Sequence, residues 1–208
     1  VIHYTGMASA DEALARLCDP AAEVSAHYLI TETGTPIRLV PENLRAWHAG
    51  AGRWGSVTDV NSRSIGIELA NSGSHPYPAP QMAALEDLLA AILARHAIPP
   101  SRVIAHSDLA PARKSDPGPR FDWRRLALAG LSVWPAPDPK PAPDTPPLPL
   151  QDSLTAIGYD PALRPDLRLA AFRLRFRPWA RGPADATDAA LARDLARRFP
   201  VDAPAPRA

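Results

Sequence analysis

Eight of the fifteen residues from Pro135 to Pro149 are proline, alternating mostly with Ala, Asp and Lys140. Proline fixes φ and removes a backbone donor, so such a run favours extended polyproline II and cannot pack a core. Whatever folds in this chain must fold on either side of it. The run predicts a linker over 135–149 between a unit at 1–134 and a small unit at 150–208. The first unit holds 12 basic and 13 acidic residues and the second 10 and 7. That mild cationic surplus is the charge of a solvated helix face and calls for no nucleic-acid partner. The chain as a whole balances 23 Lys+Arg against 22 Asp+Glu with 46% apolar residues, enough to bury a core. No apolar run approaches the roughly 20 residues that span a bilayer, and the one cysteine, Cys18, has no partner for an internal disulfide. Strongly charged binders, transmembrane helices and disulfide scaffolds are excluded. Because Val1 opens a strand-like run, any signal peptide is expected upstream of it.

Along 1–134 the pattern predicts a mixed sheet flanked by helices. Val1 to Tyr4 reads as a buried strand, and Ser9-Ala10-Asp11-Glu12 is a capping box opening a helix to about Leu17. His27 to Ile30 and Pro36 to Val40 flank Glu32-Thr33-Gly34-Thr35 as a hairpin, with Gly34 free to take positive φ. Ser64 to Leu69 and Arg102 to Ala105 read as further strands. Leu85, Leu88, Leu89, Ile92 and Leu93 recur at helical spacing within 81–96, and a short helix carries Trp123, Leu126 and Leu128. The segments 45–61 and 106–122 show no periodicity. In the second unit three helices are expected, at 151–157, 165–176 and 185–199. The fold class is therefore α/β, with a small C-terminal all-α domain.

Reactive side chains gather where strands end. His3 closes one strand, His106 closes another, and Asp116 follows ten residues after His106. Two imidazoles and a carboxylate are the donor set of a catalytic zinc site with its fourth position open to water. Spacing alone leaves each histidine equally able to be a hydrogen-bonded structural residue, and Asp108 is a rival carboxylate.

The wording of the motifs is more specific. His3-Tyr4-Thr5, Ser25 to Ile30, Ala46-Trp47-His48-Ala49-Gly50, Asn61 to Leu69, and His106-Ser107-Asp108 through Asp116-Pro117-Gly118-Pro119 occur in order. Together they resemble the zinc-dependent N-acetylmuramoyl-L-alanine amidases, the AmpD/AmiD-type family that also includes phage amidases and peptidoglycan recognition proteins. Trp134-Pro135, Leu150-Gln151, Gly158-Tyr159 and Ala171 to Pro178 extend the likeness to the small helical domain of the AmiD branch, a peptidoglycan-binding-like module.

The resemblance implies an amidase domain at 1–134 that binds Zn2+ through His3, His106 and Asp116. Glu68 would be its proton-shuttling residue and Lys114 its oxyanion stabiliser. It also implies hydrolysis of the amide between N-acetylmuramic acid and L-alanine in peptidoglycan or muropeptides. The period-two strand Ile65 to Leu69 sets Glu68 on the face opposite Ile65 and Ile67. Lys114 is the only lysine outside the proline-rich run, in a chain with 21 arginines, and a compact ammonium suits a developing oxyanion. Arg45, His48, Trp54 and Asn61 are candidates for gripping substrate, since a Trp face suits a sugar ring and Arg a carboxylate. His27 reads as structural, His75 as a loop residue and His96 as a helix-end residue. The competing functions are a non-catalytic recognition protein of the same fold and an interaction protein working through its C-terminal helices. The helical unit points to the bacterial cell envelope, in the periplasm with any lipid anchor upstream of Val1, with the cytoplasm as the alternative, and to a small unit that holds the cell wall; a monomer is expected.

Overall fold

Three-residue runs of apolar and polar side chains build the sheet. The computed structural model describes residues 1–136 and 148–202, so 137–147 of the linker predicted over 135–149, and the end of the small unit at 203–208, lie outside the described residues. The elements are β1 (Ile2–Tyr4), α1 (Ala10–Leu17), β2 (Tyr28–Ile30), β3 (Pro36–Arg38), β4 (Ile67–Leu69), α2 (Ala79–Arg95), α3 (His106–Leu109), α4 (Trp123–Leu128), α5 (Leu150–Ile157), α6 (Pro165–Phe176) and α7 (Ala186–Arg198). The strands lie in the order β1-β4-β2-β3, with β1, β4 and β2 parallel and β3 antiparallel to β2.

Period two sorts the two faces of this sheet. Ile2, Ile30, Ile67 and Leu69 point to the face covered by Met82, Leu85, Leu89 and Ile92 of α2. His3, Glu68 and Leu29 point the other way, where Ala10 and Ala13 of α1 cover Leu29. Register sets His3 directly opposite Glu68 on adjacent parallel strands. The predicted cap of α1 forms: Ser9 Oγ accepts from the Glu12 N–H at 3.2 Å, and the Glu12 carboxylate accepts from Ala8. The hairpin turns at Gly34 with φ of +87°.

Two expectations change. No strand forms over 102–105. The chain turns through a 3₁₀ segment at Pro100–Arg102 and enters α3 at His106, which leaves too short an extended stretch between them for a ladder. One hydrogen bond, Ile2 N–H to the Ile104 carbonyl at 2.9 Å, and a parallel bridge between Ile2 and Ala105 are what remain of it. His106 therefore opens the one-turn helix α3 instead of closing a strand.

The C-terminal helices form as expected, yet they are not seen as a free-standing domain. Leu154, Tyr159, Phe172, Phe176 and Leu195 share a single apolar cluster with Trp54, Val60, Ile104 and Leu109. Arg175 of α6 reaches beneath α3, where its guanidinium pairs with Asp108 at 2.7 Å, donates to the Val103 carbonyl at 2.8 Å and stacks on Trp123. Among the described residues, no helix is long and apolar enough to cross a membrane.

Candidate metal centre

The centre is assembled from β1, β4 and the loop after α3. β1 delivers His3, and α3 delivers His106 from its first turn. The loop is folded back by two backbone contacts: the Ser107 N–H donates to the Asp116 carbonyl at 3.0 Å, and Tyr77 OH donates to the Pro117 carbonyl at 2.8 Å. Asp116 Oδ2 thereby lies 2.9 Å from His3 Nδ1 and 3.0 Å from His106 Nδ1, and the two ring nitrogens are 2.9 Å apart. All three residues are buried.

The far side of each ring shows what those near atoms carry. His106 Nε2 faces the Ala49 carbonyl at 2.9 Å, which can only accept, so the neutral ring has its lone pair on Nδ1. His3 Nε2 faces His48 Nδ1 at 3.0 Å. Burial, opposed by the Asp116 carboxylate beside the ring, brings His3 down to about 3, so the ring is neutral at physiological pH. Burial would raise Asp116, but the two imidazoles set against its Oδ2 outweigh it and hold the carboxyl well below the ordinary carboxylate range. Two imidazole nitrogens and a carboxylate oxygen at mutual distances of 3 Å are a donor set that fits a divalent cation such as zinc.

Beside this triangle, Glu68 is half-buried, and its Oε2 is shut off from solvent with no hydrogen-bond partner among the described residues. Burial, reinforced by the Asp116 charge and only partly offset by Lys114, pushes its carboxyl well above the usual value. The cluster opens into a cleft of about 410 Å³ that Glu68, Lys114, Trp47, Arg113 and His48 also line.

Of the residues singled out from the sequence, His3, His106, Asp116, Glu68, Lys114 and His48 are brought together at this cleft. Arg45, Trp54 and Asn61 are not. Arg45 is exposed and bonded to Asp59 and Ser62. Trp54 is only 6% exposed and packs edge-on against Tyr159 in the core shared with the C-terminal helices. Asn61 is buried, and its Oδ1 accepts from the backbone N–H groups of His48 and Ala49. His27, expected to be structural, accepts from the Gly66 N–H at Nδ1 and donates from Nε2 to the Leu44 carbonyl. His96 pairs with Glu42 at the end of α2, as a helix-end residue would.

Sequence reasoning passed over two cleft residues. Trp47, 53% exposed at the mouth, offers the aromatic face that had been sought at Trp54. Its place next to His48 was the available signal. Arg113 donates to the Ala49 and Ala51 carbonyls and so straps the loop that carries His48 to the loop that carries Asp116.

A mixed sheet that brings two imidazoles, a carboxylate and an unpaired glutamate oxygen to one open cleft defines a hydrolase with a metal-ready centre. The particular family follows from comparison. The Amidase_2 profile, described as N-acetylmuramoyl-L-alanine amidase, matches residues 1–119. The chain is 38% identical to the N-acetylmuramoyl-L-alanine amidase AmiD of Escherichia coli K12, over 97% of this chain and 83% of that protein. It is 39% identical to the 1,6-anhydro-N-acetylmuramyl-L-alanine amidase AmpD of Enterobacter cloacae, over 50% of this chain and 55% of that one. The solved complex of E. coli AmiD with the substrate anhydro-N-acetylmuramic acid-L-Ala-D-gamma-Glu-L-Lys superposes with a TM-score of 0.84, covering 95% of this chain and 88% of that one at 37% identity. AMPDH3 of Pseudomonas aeruginosa, solved with anhydromuramic pentapeptide, gives 0.82 at 31% identity, covering 96% and 91%. The chain belongs to the N-acetylmuramoyl-L-alanine amidase family.

Proposed function

We propose that this chain hydrolyses the amide between the lactyl group of N-acetylmuramic acid and L-alanine in muropeptides, using zinc held by His3, His106 and Asp116. The observation that carries the reading is the pairing of a convergent three-donor cluster with the buried, unpartnered Glu68 oxygen on the neighbouring strand. The substrate class is supported by the muropeptide fragments bound to the AmiD and AMPDH3 relatives. Bound zinc would act as a Lewis acid on the amide carbonyl and make a water acidic enough to attack near neutral pH.

Every other step belongs to the chain's own side chains. Glu68, on the strand beside His3 and with one oxygen free of any hydrogen-bond partner among the described residues, takes the proton of the attacking water and returns it to the departing alanine nitrogen. Lys114, exposed at the cleft wall, sets an ammonium charge near the oxygen that becomes negative. Trp47 gives the mouth an apolar face for a sugar ring or peptide stem. A recognition protein without catalysis would have no use for Glu68 held dry beside the donors, and its retention favours the hydrolase.

The test is release of the stem peptide from an anhydro-muropeptide, followed by chromatography. Chelation should abolish it and added zinc restore it. Glu68→Gln should keep the metal and lower kcat by about 10²- to 10⁴-fold, and Lys114→Ala by about 10²- to 10³-fold. Unchanged turnover in the chelated protein or in Glu68→Gln contradicts the mechanism.

A further inference from the structure

One dipeptide steers both histidines of the centre. Asn61 Oδ1 accepts from the N–H of His48 at 3.1 Å and of Ala49 at 2.8 Å, which pins that segment against the site. From it the Ala49 carbonyl settles the proton of His106. The contact with His3 is less simple, because a histidine can accept or donate, and the far side of His48 decides. Ser64 Oγ lies 2.6 Å from the Val60 carbonyl, so the single hydroxyl proton goes there. Ser64 Oγ is then the acceptor for His48 Nε2–H at 3.3 Å. With that proton on Nε2, neutral His48 presents a lone pair at Nδ1, and His3 Nε2–H donates into it at 3.0 Å. His3 is left with its own lone pair on Nδ1, aimed at the point it shares with His106 and Asp116.

Gly66 makes the arrangement possible. A Cβ at that position would sit 2.3 Å from His48 Cγ and 2.6 Å from His48 Nδ1, closer than real side chains approach, so a larger residue would displace the ring. Asn61 thus holds the His48 backbone while Ser64 and Gly66 act on its buried imidazole.

We propose that His48 is a positioning residue: it fixes the tautomer and the aim of His3, is oriented in turn by Ser64, and neither holds the cation nor grips substrate. The proposal rests on His3 being a metal ligand. Orienting partners of this kind typically change metal affinity by about 10- to 100-fold when removed.

The experiment measures zinc affinity by competition with a chromogenic chelator, in the full chain, together with the thermal midpoint of the metal-free protein. His48→Leu removes the acceptor, and His48→Asn keeps one on the γ branch, near where Nδ1 stood. His48→Leu is expected to weaken zinc binding about 10- to 100-fold, and His48→Asn to recover most of the loss while the two metal-free midpoints agree. Ser64→Ala should weaken it in the same direction by less. Nitrogen-15 spectra of the metal-free wild type should show His3 protonated on Nε2, and Ser64→Ala should show a mixture of tautomers. Equal losses in His48→Leu and His48→Asn would mean that the ring only fills space, and would overturn the proposal. So would wild-type affinity in either His48→Leu or Ser64→Ala, and Ser64→Ala decides alone if His48→Leu does not fold. His3→Ala separates the two levels: if it retains zinc, the metal-centre reading itself has failed.

Discussion

Asp108, in α3, and Asp116, in the loop that follows it, sit eight residues apart, both buried, and their surroundings differ in kind. Asp108 accepts from Arg175 Nη1 at 2.7 Å, Tyr159 OH at 2.8 Å and the Ala105 N–H at 2.9 Å, so its charge is paired and both oxygens are occupied. Asp116 sets one oxygen against two imidazole nitrogens and lines an open cleft. A buried carboxylate with a full set of donors is a structural tie, and one left facing other donors is suited to a cation. The tie has a further consequence. Both side-chain donors to Asp108 come from beyond residue 150, so the C-terminal helices hold α3, and with it His106, from below.

Deleting 137–208 breaks the comparison most severely. Asp108 would lose Arg175 and Tyr159, and Trp54, Ile104 and Leu109 would lose their apolar cover. A chain ending at Ala136 is expected to lose most of the roughly 5–15 kcal/mol that holds a domain folded, seen as the absence of a cooperative thermal transition. A stable, zinc-binding fragment would show that the helices are an independent module. Next in size is Arg175→Met, which leaves the Asp108 charge buried without its partner and should cost about 3–5 kcal/mol in urea denaturation. Tyr159→Phe removes only one hydrogen bond to a charged group and should cost about 1.5–3 kcal/mol.

The smallest expected effect comes from a carboxylate at the surface, where ion pairs contribute little. Glu42 is held down to about 2, chiefly by the Arg95 guanidinium, with Tyr28 and His96 also donating. A lowered folded-state pKa gives stability that is fully present above the unfolded value near 4.5 and is lost as pH falls toward about 2. Glu42→Gln should therefore flatten the stability profile across that acid window and leave it unchanged at pH 7 relative to its own plateau. An identical acid limb in wild type and variant would contradict the pairing.

Much of this was legible in the chain because it is written locally. Alternation in Val1 to Tyr4 and Ile65 to Leu69 specified which strand residues face the core, and that same alternation set His3 and Glu68 on one face. The apolar spacing in α2, α5 and α6 predicted helices within one or two residues. What escaped the sequence is set by distant partners. Trp54 looks like a cleft residue until Tyr159 is packed against it, and the contact between His48 and His3 exists only once β1 is brought alongside the segment that carries His48. The one-turn helix α3 leaves no periodicity to read. Asp108 and Asp116 could be told apart only by motif resemblance, because the arginine that occupies Asp108 lies 67 residues further along the chain.

The division of labour between the two carboxylates is tested most directly by zinc content. Wild type, Asp108→Asn and Asp116→Asn would be refolded with excess zinc, desalted, and the metal counted per folded chain. About one zinc is expected in wild type and in Asp108→Asn, the latter with a lowered thermal midpoint, and close to none in Asp116→Asn, whose metal-free midpoint should stay near that of the wild type. Zinc retained by Asp116→Asn and lost from folded Asp108→Asn would contradict the assignment of the centre.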